Sequence, residues 1–444
     1  MELDILRFFG ACNPADTLVY NNEEERRYYI DFSSVRGGNI IRTLEKAITR
    51  NTQLGKPTCQ LFTGHIGCGK STELMKLQAV LLEKDFHVVY FKSSEDLEIN
   101  DLEITDIFLA ITHKVSESLE TVGIKLRPNY FVRLFQEIVD FLKTDIDLAY
   151  KNEFSLPFGL GKLIAKTKNN PSDRSRLRQY LEPKKTEILD AINKEVFAKA
   201  TEKLKEQGKQ GLVVIVDNFD QMDNRPKFKD LTQPEYIFVE NGGKLRKLNC
   251  HVVYTIPFAL RFSPKIQVLN NRLGDVISAL RALPMIPVRN RNGSKCEEGL
   301  ALLQDMVLAR AFPALEPQQR IGLIPQVFES SETLERLFLI SGGHVRNVLK
   351  IVYQCLLEDD PPISQACIER VIRDYCNNSI LGITDENWEL LYRVSQEKTI
   401  RGQEDYSNLL RLLWVFEYSD PEGETWFDIN PVLKESKRFR SFES

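Results

Sequence analysis

Residues 58–83 open with the run Thr58-Cys59-Gln60-Leu61-Phe62-Thr63, continue through Gly64-His65-Ile66-Gly67-Cys68-Gly69-Lys70-Ser71, and end in Thr72 to Glu83, TELMKLQAVLLE. The first run is short and apolar enough for a buried strand, and the last places Leu74, Leu77 and Leu81 at helical spacing. A glycine-rich turn joins the two. The turn fits G-x-x-x-x-G-K-[ST] in the strand-to-helix context that its chemistry requires. Glycines let successive backbone N–H groups turn inward around an anion, and the helix that begins near Lys70 adds its positive dipole end. The eight residues Gly64, His65, Ile66, Gly67, Cys68, Gly69, Lys70 and Ser71, with Thr72 after them, therefore read as a phosphate-binding loop. A fortuitous glycine-rich turn is the plain alternative.

Outward from this unit, HVVYFKSS (87–94), LVVIVD (212–217), HVVYTI (251–256) and ALPMIPV (282–288) are further buried-strand candidates. Between the second and third strands the sequence is largely helical from about 100 to 208. Short β-branched runs separated by helices predict a parallel sheet covered on both faces. Leu212 to Val216 followed by Asp217 supplies an apolar strand ending in a carboxylate. That is the second protein anchor for a Mg²⁺ ion whose first would be the Ser71 hydroxyl, with Lys70 reaching the β- and γ-phosphates of a nucleotide. Asn218 follows Asp217 and cannot take a proton. Asp220 is then the candidate base for activating water, or else a helix cap.

After Val288 the polar link RNRNGSK leads into amphipathic helices with no strand between them. The final piece has helices WELLYRVSQ and SNLLRLLWVF, then two alternating runs flanking the turn Asp420-Pro421-Glu422-Gly423, and contains all three Trp. Helices followed by a hairpin predict a winged-helix-like domain with its own small core.

Composition bounds the partners. With 59 Lys plus Arg against 63 Asp plus Glu, net charge −4, the chain has no global positive field for nucleic acid or an anionic membrane. Only a local patch could serve. The strongest is 159–185, with eight Lys and Arg against two acids, which could contact nucleic acid, an acidic partner or a neighbouring subunit, or be a solvated insertion. No apolar run is long enough for a membrane span, and the start lacks a signal-like core, so a cytoplasmic protein without a membrane partner is expected. The eight Cys include no C-x-x-C pair, which predicts reduced, mostly buried thiols.

On these residues the chain resembles the AAA+ ATPases and the related STAND signalling ATPases over roughly 25–440. That resemblance implies an α/β fold: a P-loop parallel sheet of the additional-strand type with a helical insertion, an all-α lid and a C-terminal winged-helix-like domain. It places an N-terminal segment at 1–50, the ATPase core at 51–288, the lid at 289–380 and the last domain at 381–444. It further implies that Thr255 is a polar sensor, and that Ser341-Gly342-Gly343-His344-Val345-Arg346 is a lid motif whose Arg346 approaches the γ-phosphate. An ordinary strand-end Thr and an ordinary solvated Arg are the alternatives. Tyr29 to Gly37 resembles the segment that lies near the adenine in such proteins. Arg261 and Arg272 stand where a finger acting on a neighbouring subunit is usual. The expected protein is an ATP- and Mg²⁺-dependent switch, an ATPase that forms homo-oligomers and drives a protein effector encoded elsewhere, as in bacterial defence signalling. The alternatives are an origin-recognition-like DNA-binding ATPase and a non-hydrolysing ATP-bound scaffold.

Overall fold

In the computed structural model, which describes residues 2–142, 156–273, 280–400 and 406–442, the strand of the opening motif is β1 (Cys59–Gly64) and its helix is α1 (Lys70–Glu83). With β2 (His87–Lys92), β3 (Leu212–Asp217), β4 (His251–Thr255) and β5 (Leu280–Leu283), β1 forms a five-stranded sheet in the order β2-β3-β4-β1-β5. The pairs β2–β3, β3–β4 and β4–β1 are parallel. One strand, β4, thus intervenes between the loop strand and the strand ending in Asp217. This is the additional-strand order expected above for a P-loop sheet. Parallel strands with helices on both faces must be apolar throughout, and all six residues of β3 are buried.

The chain divides into two compact units. One comprises Arg42–Thr63 and Leu77–Arg281. Its core joins the sheet, through residues such as Val214 and Tyr254, to the helical insertion, through Phe108, Leu119 and Phe197. The described part of 100–208 is helical, beginning with Ile104–Thr121, where Glu103 and Asp106 close a capping box. The other unit comprises Met1–Ile41, Gly64–Lys76 and Ala282–Ser444. It holds the loop itself, the helices after Val288, among them α2 (Val345–Glu358), and a terminal hairpin of β6 (Val415–Ser419) and β7 (Thr425–Ile429). Trp388, Trp414 and Trp426 are buried there, and Trp426 stacks on Tyr418 at 4.4 Å between ring centroids.

Two sequence expectations shift. The strand expected over 282–288 ends its ladder at Leu283, because Pro284 and Pro287 have no N–H to give. The helix expected over SNLLRLLWVF stops at Arg411. Leu413 turns left-handed (φ +61°), and Val415 and Phe416 enter the hairpin opposite Ile429 and Asp428. No helix among the described residues is long and apolar enough to cross a membrane. The eight Cys carry free thiols, and burial pushes those of Cys12 and Cys59 up to about 12.

Candidate functional site

The loop from Gly64 to Ser71 has its carbonyls tied off. Lys70 Nζ donates to the carbonyls of Gly64 (2.9 Å) and His65 (2.8 Å). The carbonyl of Ile66 accepts from His344 Nε2 (2.7 Å), that of Gly67 from the Arg346 amide (3.2 Å), and that of Cys68 from the Arg36 guanidinium (2.8 Å). The amides of Gly67, Gly69 and Ser71 make no hydrogen bond among the described residues. Carbonyls turned outward and amides left over are the arrangement of an anion-binding nest.

Local sequence explains how this shape is held. Gly67 has φ +83°, and a Cβ there would lie 2.9 Å from Arg346 Cβ and from the His344 ring, so only glycine lets α2 approach the loop. His344 caps α2: its Nδ1 accepts from the Asn347 amide (3.2 Å), which leaves Nε2 as the donor to Ile66. Burial holds its pKa down at about 4, so the neutral ring persists at neutral pH. Gly343, one residue earlier, has φ +72°, and a Cβ there would fall 1.7 Å from the Ile286 carbonyl. Arg346 meets the loop through its backbone, while its side chain is exposed. His65 is buried. Its Nε2 accepts from the Glu417 amide of β6 (2.9 Å).

The N-terminal segment borders the loop in the same unit. Tyr29 donates to Glu73 (3.2 Å), and Lys76 pairs with Asp31 (3.1 Å). Burial raises the Glu73 carboxyl against the opposing pull of Arg36 and Lys76. A small open pocket lies here, lined by Asp31, Ser33, Arg36, Asn39, Glu73 and Leu283.

In the sheet unit, register places Lys92 opposite Asp217 and Val216 opposite Tyr254, so Asp217 and Thr255 end adjacent strands at one edge. Asp217 is buried. Its Oδ2 accepts from the Tyr90 hydroxyl and its Oδ1 from the Asn218 amide, both at 2.7 Å. Asn218 is left-handed (φ +69°) and its side chain donates to Ser94 Oγ (3.0 Å). The Thr255 hydroxyl is fully buried and accepts from the Phe219 amide (3.0 Å). Asp220 lies inside the short 3₁₀ turn Phe219–Gln221. Asn218 stands at its cap position, so Asp220 does not serve as the cap. Asp217 in this unit offers a hard carboxylate oxygen and Ser71 in the other a hydroxyl, and each is a donor type that Mg²⁺ takes.

Sequence reading missed three of these residues. Tyr90 and His344 are visible in the sequence, in HVVYFK and GGHVR, but nothing there marks them as partners of Asp217 and Ile66. Glu417 acts through its backbone, which leaves no side-chain signal.

Four basic side chains of the segment 159–185 are paired with acids in its own unit, and those of Lys162 and Lys166 lie outside the described residues. Arg174 pairs with Asp101, Arg178 with Asp101 and Asp106 (2.7 and 2.8 Å), Lys184 with Glu137 (2.7 Å) and Lys185 with Glu182. Lys168 donates to the carbonyl of Ser94 (3.0 Å), and Arg176 to those of Phe141 and Leu142. Arg272 is engaged with Glu240 and the Val239 carbonyl.

No protein-family model matches the chain, and no curated protein matches it. Among solved structures it is similar to the ORC2 protein of Aeropyrum pernix in ADPNP–ADP complexes. The identity is 12%, the coverage 100% of this chain and 98% of that one, and the TM-score 0.41. It is similar also to Cdc6p of Pyrobaculum aerophilum (11% identity, 95% and 94% covered, TM-score 0.40). A third is Drosophila ORC bound to DNA (10% identity, 99% and 91% covered, TM-score 0.40).

Proposed function

We propose that the chain is an ATP-binding switch and slow ATPase of the AAA+/STAND kind. The observation that carries this reading is the loop itself, with the carbonyls from Gly64 to Cys68 engaged and the amides of Gly67, Gly69 and Ser71 left for phosphate oxygens. In this reading Lys70 exchanges the carbonyls of Gly64 and His65 for the β- and γ-phosphates, and the amides around Thr72 add the helix dipole. Ser71 and Asp217 would hold Mg²⁺, and Tyr90 would keep the Asp217 carboxylate oriented. Mg²⁺, when bound, supplies neutralisation of charge on the phosphate oxygens.

Asn218 stands where many hydrolysing relatives place an acid, so turnover rests on Asp220, with Thr255 and Arg346 as sensors. The segment from Tyr29 to Gly37, whose Tyr29 meets Glu73, would lie near the adenine. The useful output is a change of conformation or assembly that a protein partner reads.

Calorimetry with ATP and Mg²⁺ tests the reading: heat is expected from the wild type and not from Lys70→Ala. Phosphate release that is lost in Asp217→Ala establishes hydrolysis, whereas binding without release leaves a nucleotide-bound scaffold. Sedimentation with ADP and with a non-hydrolysable analogue reads assembly. A DNA-gripping role competes, but the helix before the hairpin, Ser407–Arg411, is only five residues long and Arg174, Arg178 and Lys184 of the basic segment are paired with acids. Steeply salt-dependent DNA binding would restore it.

A further inference from the structure

We propose that His65 couples the nucleotide state of the loop to the docking of the C-terminal hairpin, so that phosphate binding and hairpin attachment strengthen one another. The proposal rests on the nucleotide-binding reading above and adds the route by which that site reports its state.

His65 occupies a variable position of the loop motif, where only the backbone is needed for phosphate. Its side chain is nevertheless 1% exposed and committed to the hairpin. The Nε2 atom accepts from the Glu417 amide at 2.9 Å, and the ring meets Phe416 edge-on at 5.8 Å. The other face of the connection is His344, whose ring stacks on the same Phe416 (5.7 Å, 13°) while its Nε2 holds the Ile66 carbonyl. Phe416 therefore contacts two imidazoles, one from the loop and one from the helix that holds the loop. Glu417 is fixed on its carbonyl side as well, by the Met285 amide at 2.9 Å. Two neighbouring residues of one strand thus engage the loop, α2 and the segment after β5.

The same residue carries the backbone group that a nucleotide would release. Lys70 now donates to the His65 carbonyl, which also accepts from the Cys68 amide (3.2 Å), and a lysine drawn to a γ-phosphate leaves that carbonyl to the turn within the loop. Phosphate oxygens on the neighbouring amides fix the backbone of residues 65–67 and with it the direction of the imidazole. An ordered loop presents Nε2 to Glu417 at lower entropic cost, and a docked hairpin presents an ordered loop to the phosphate. By linkage the two effects are equal.

The test is hydrogen–deuterium exchange of residues 413–420 with and without saturating ATP and Mg²⁺, alongside calorimetry on the same full-length protein. Wild type is expected to bind with heat and to slow exchange at Glu417 by about fivefold or more, the lower end of typical coupling. His65→Ala is expected to bind more weakly by a comparable factor and to show no nucleotide-dependent change at Glu417. His65→Gln, which restores an acceptor near the position of Nε2, is expected to recover part of it. Heat without any change in exchange in the wild type overturns this proposal alone. A response that survives unaltered in His65→Ala does the same. Absence of heat in a folded wild type removes the nucleotide reading and this proposal with it. Should His65→Ala fail to fold, the wild-type exchange and the glutamine variant decide.

Discussion

The loop at 64–71 and the strand end at Asp217 are held in opposite ways. Asp217 is fixed by its immediate surroundings: a ladder on each side of β3, the Tyr90 hydroxyl from the next strand and its own following amide. The loop is fixed from a distance, by Arg36 far upstream and by His344, Arg346 and Glu417 some 280 to 350 residues downstream. The contrast separates two tasks. On the proposed reading, a carboxylate that holds a cation gains from rigidity, whereas a loop that reports occupancy gains from partners that can let go.

The sharpest break in this comparison is chemical. Lys70→Ala should lower phosphate release by about 10²–10³, the scale seen when one preorganised charge-stabilising donor is lost. Its unfolding midpoint should fall modestly, through loss of the hydrogen bonds to the Gly64 and His65 carbonyls, worth about 1.5–3 kcal/mol, while the remote contacts remain. A malachite-green assay beside a urea titration reads both. Gly343→Ala attacks the remote contacts themselves. A methyl 1.7 Å from the Ile286 carbonyl at φ +72° should cost about 2–4 kcal/mol in denaturant unfolding, with the loop loosened as a result.

Acid tests both regions at once. His344 beside the loop and His251 in the sheet unit, where it bridges Thr52 and Thr58, are each held by burial at about 4, below the ordinary 6.5. Between pH 6.5 and 4 the unfolded chain takes protons that the folded chain refuses. Stability from these groups is full above pH 6.5 and is lost as pH falls toward 4, by up to roughly 3 kcal/mol for each. Urea midpoints at pH 7.5, 6 and 5 should fall in that order, and His344→Gln should flatten the slope. The smallest effect is expected at the strand end. Tyr90→Phe removes one hydrogen bond to a charged group and should cost about 1.5 kcal/mol of stability. It should also weaken Mg²⁺-dependent binding in calorimetry, with little change in exchange of the hairpin.

The sequence made the sheet and the loop legible because both are local. Strand, glycine turn and helix lie within 26 consecutive residues, and β3 announces itself by five apolar residues before Asp217. Periodicity could not show that Val415 and Phe416 leave their helix for the hairpin, since LLWVF suits either state until Leu413 adopts a left-handed turn. Nor could it show how the charges of 159–185 are spent. Asp101, Asp106 and Glu137, which pair with Arg174, Arg178 and Lys184, lie 40 to 80 residues away, the first in a bend and the other two on separate helices. Roles that depend on a backbone group, such as Glu417, or on a hydroxyl already engaged, such as Thr255, become visible only once the chain is folded.

The hairpin's outer rails carry one more consequence. A two-stranded ribbon ordinarily offers the N–H and C=O groups along its margins to any extended peptide that passes. Here the Glu417 amide and carbonyl are taken by His65 and Met285 on one margin, and the Phe427 amide by the Lys398 carbonyl on the other. At those points neither a second molecule nor a client segment can be recruited by adding a strand, so whatever recognises this end of the chain does so through side chains.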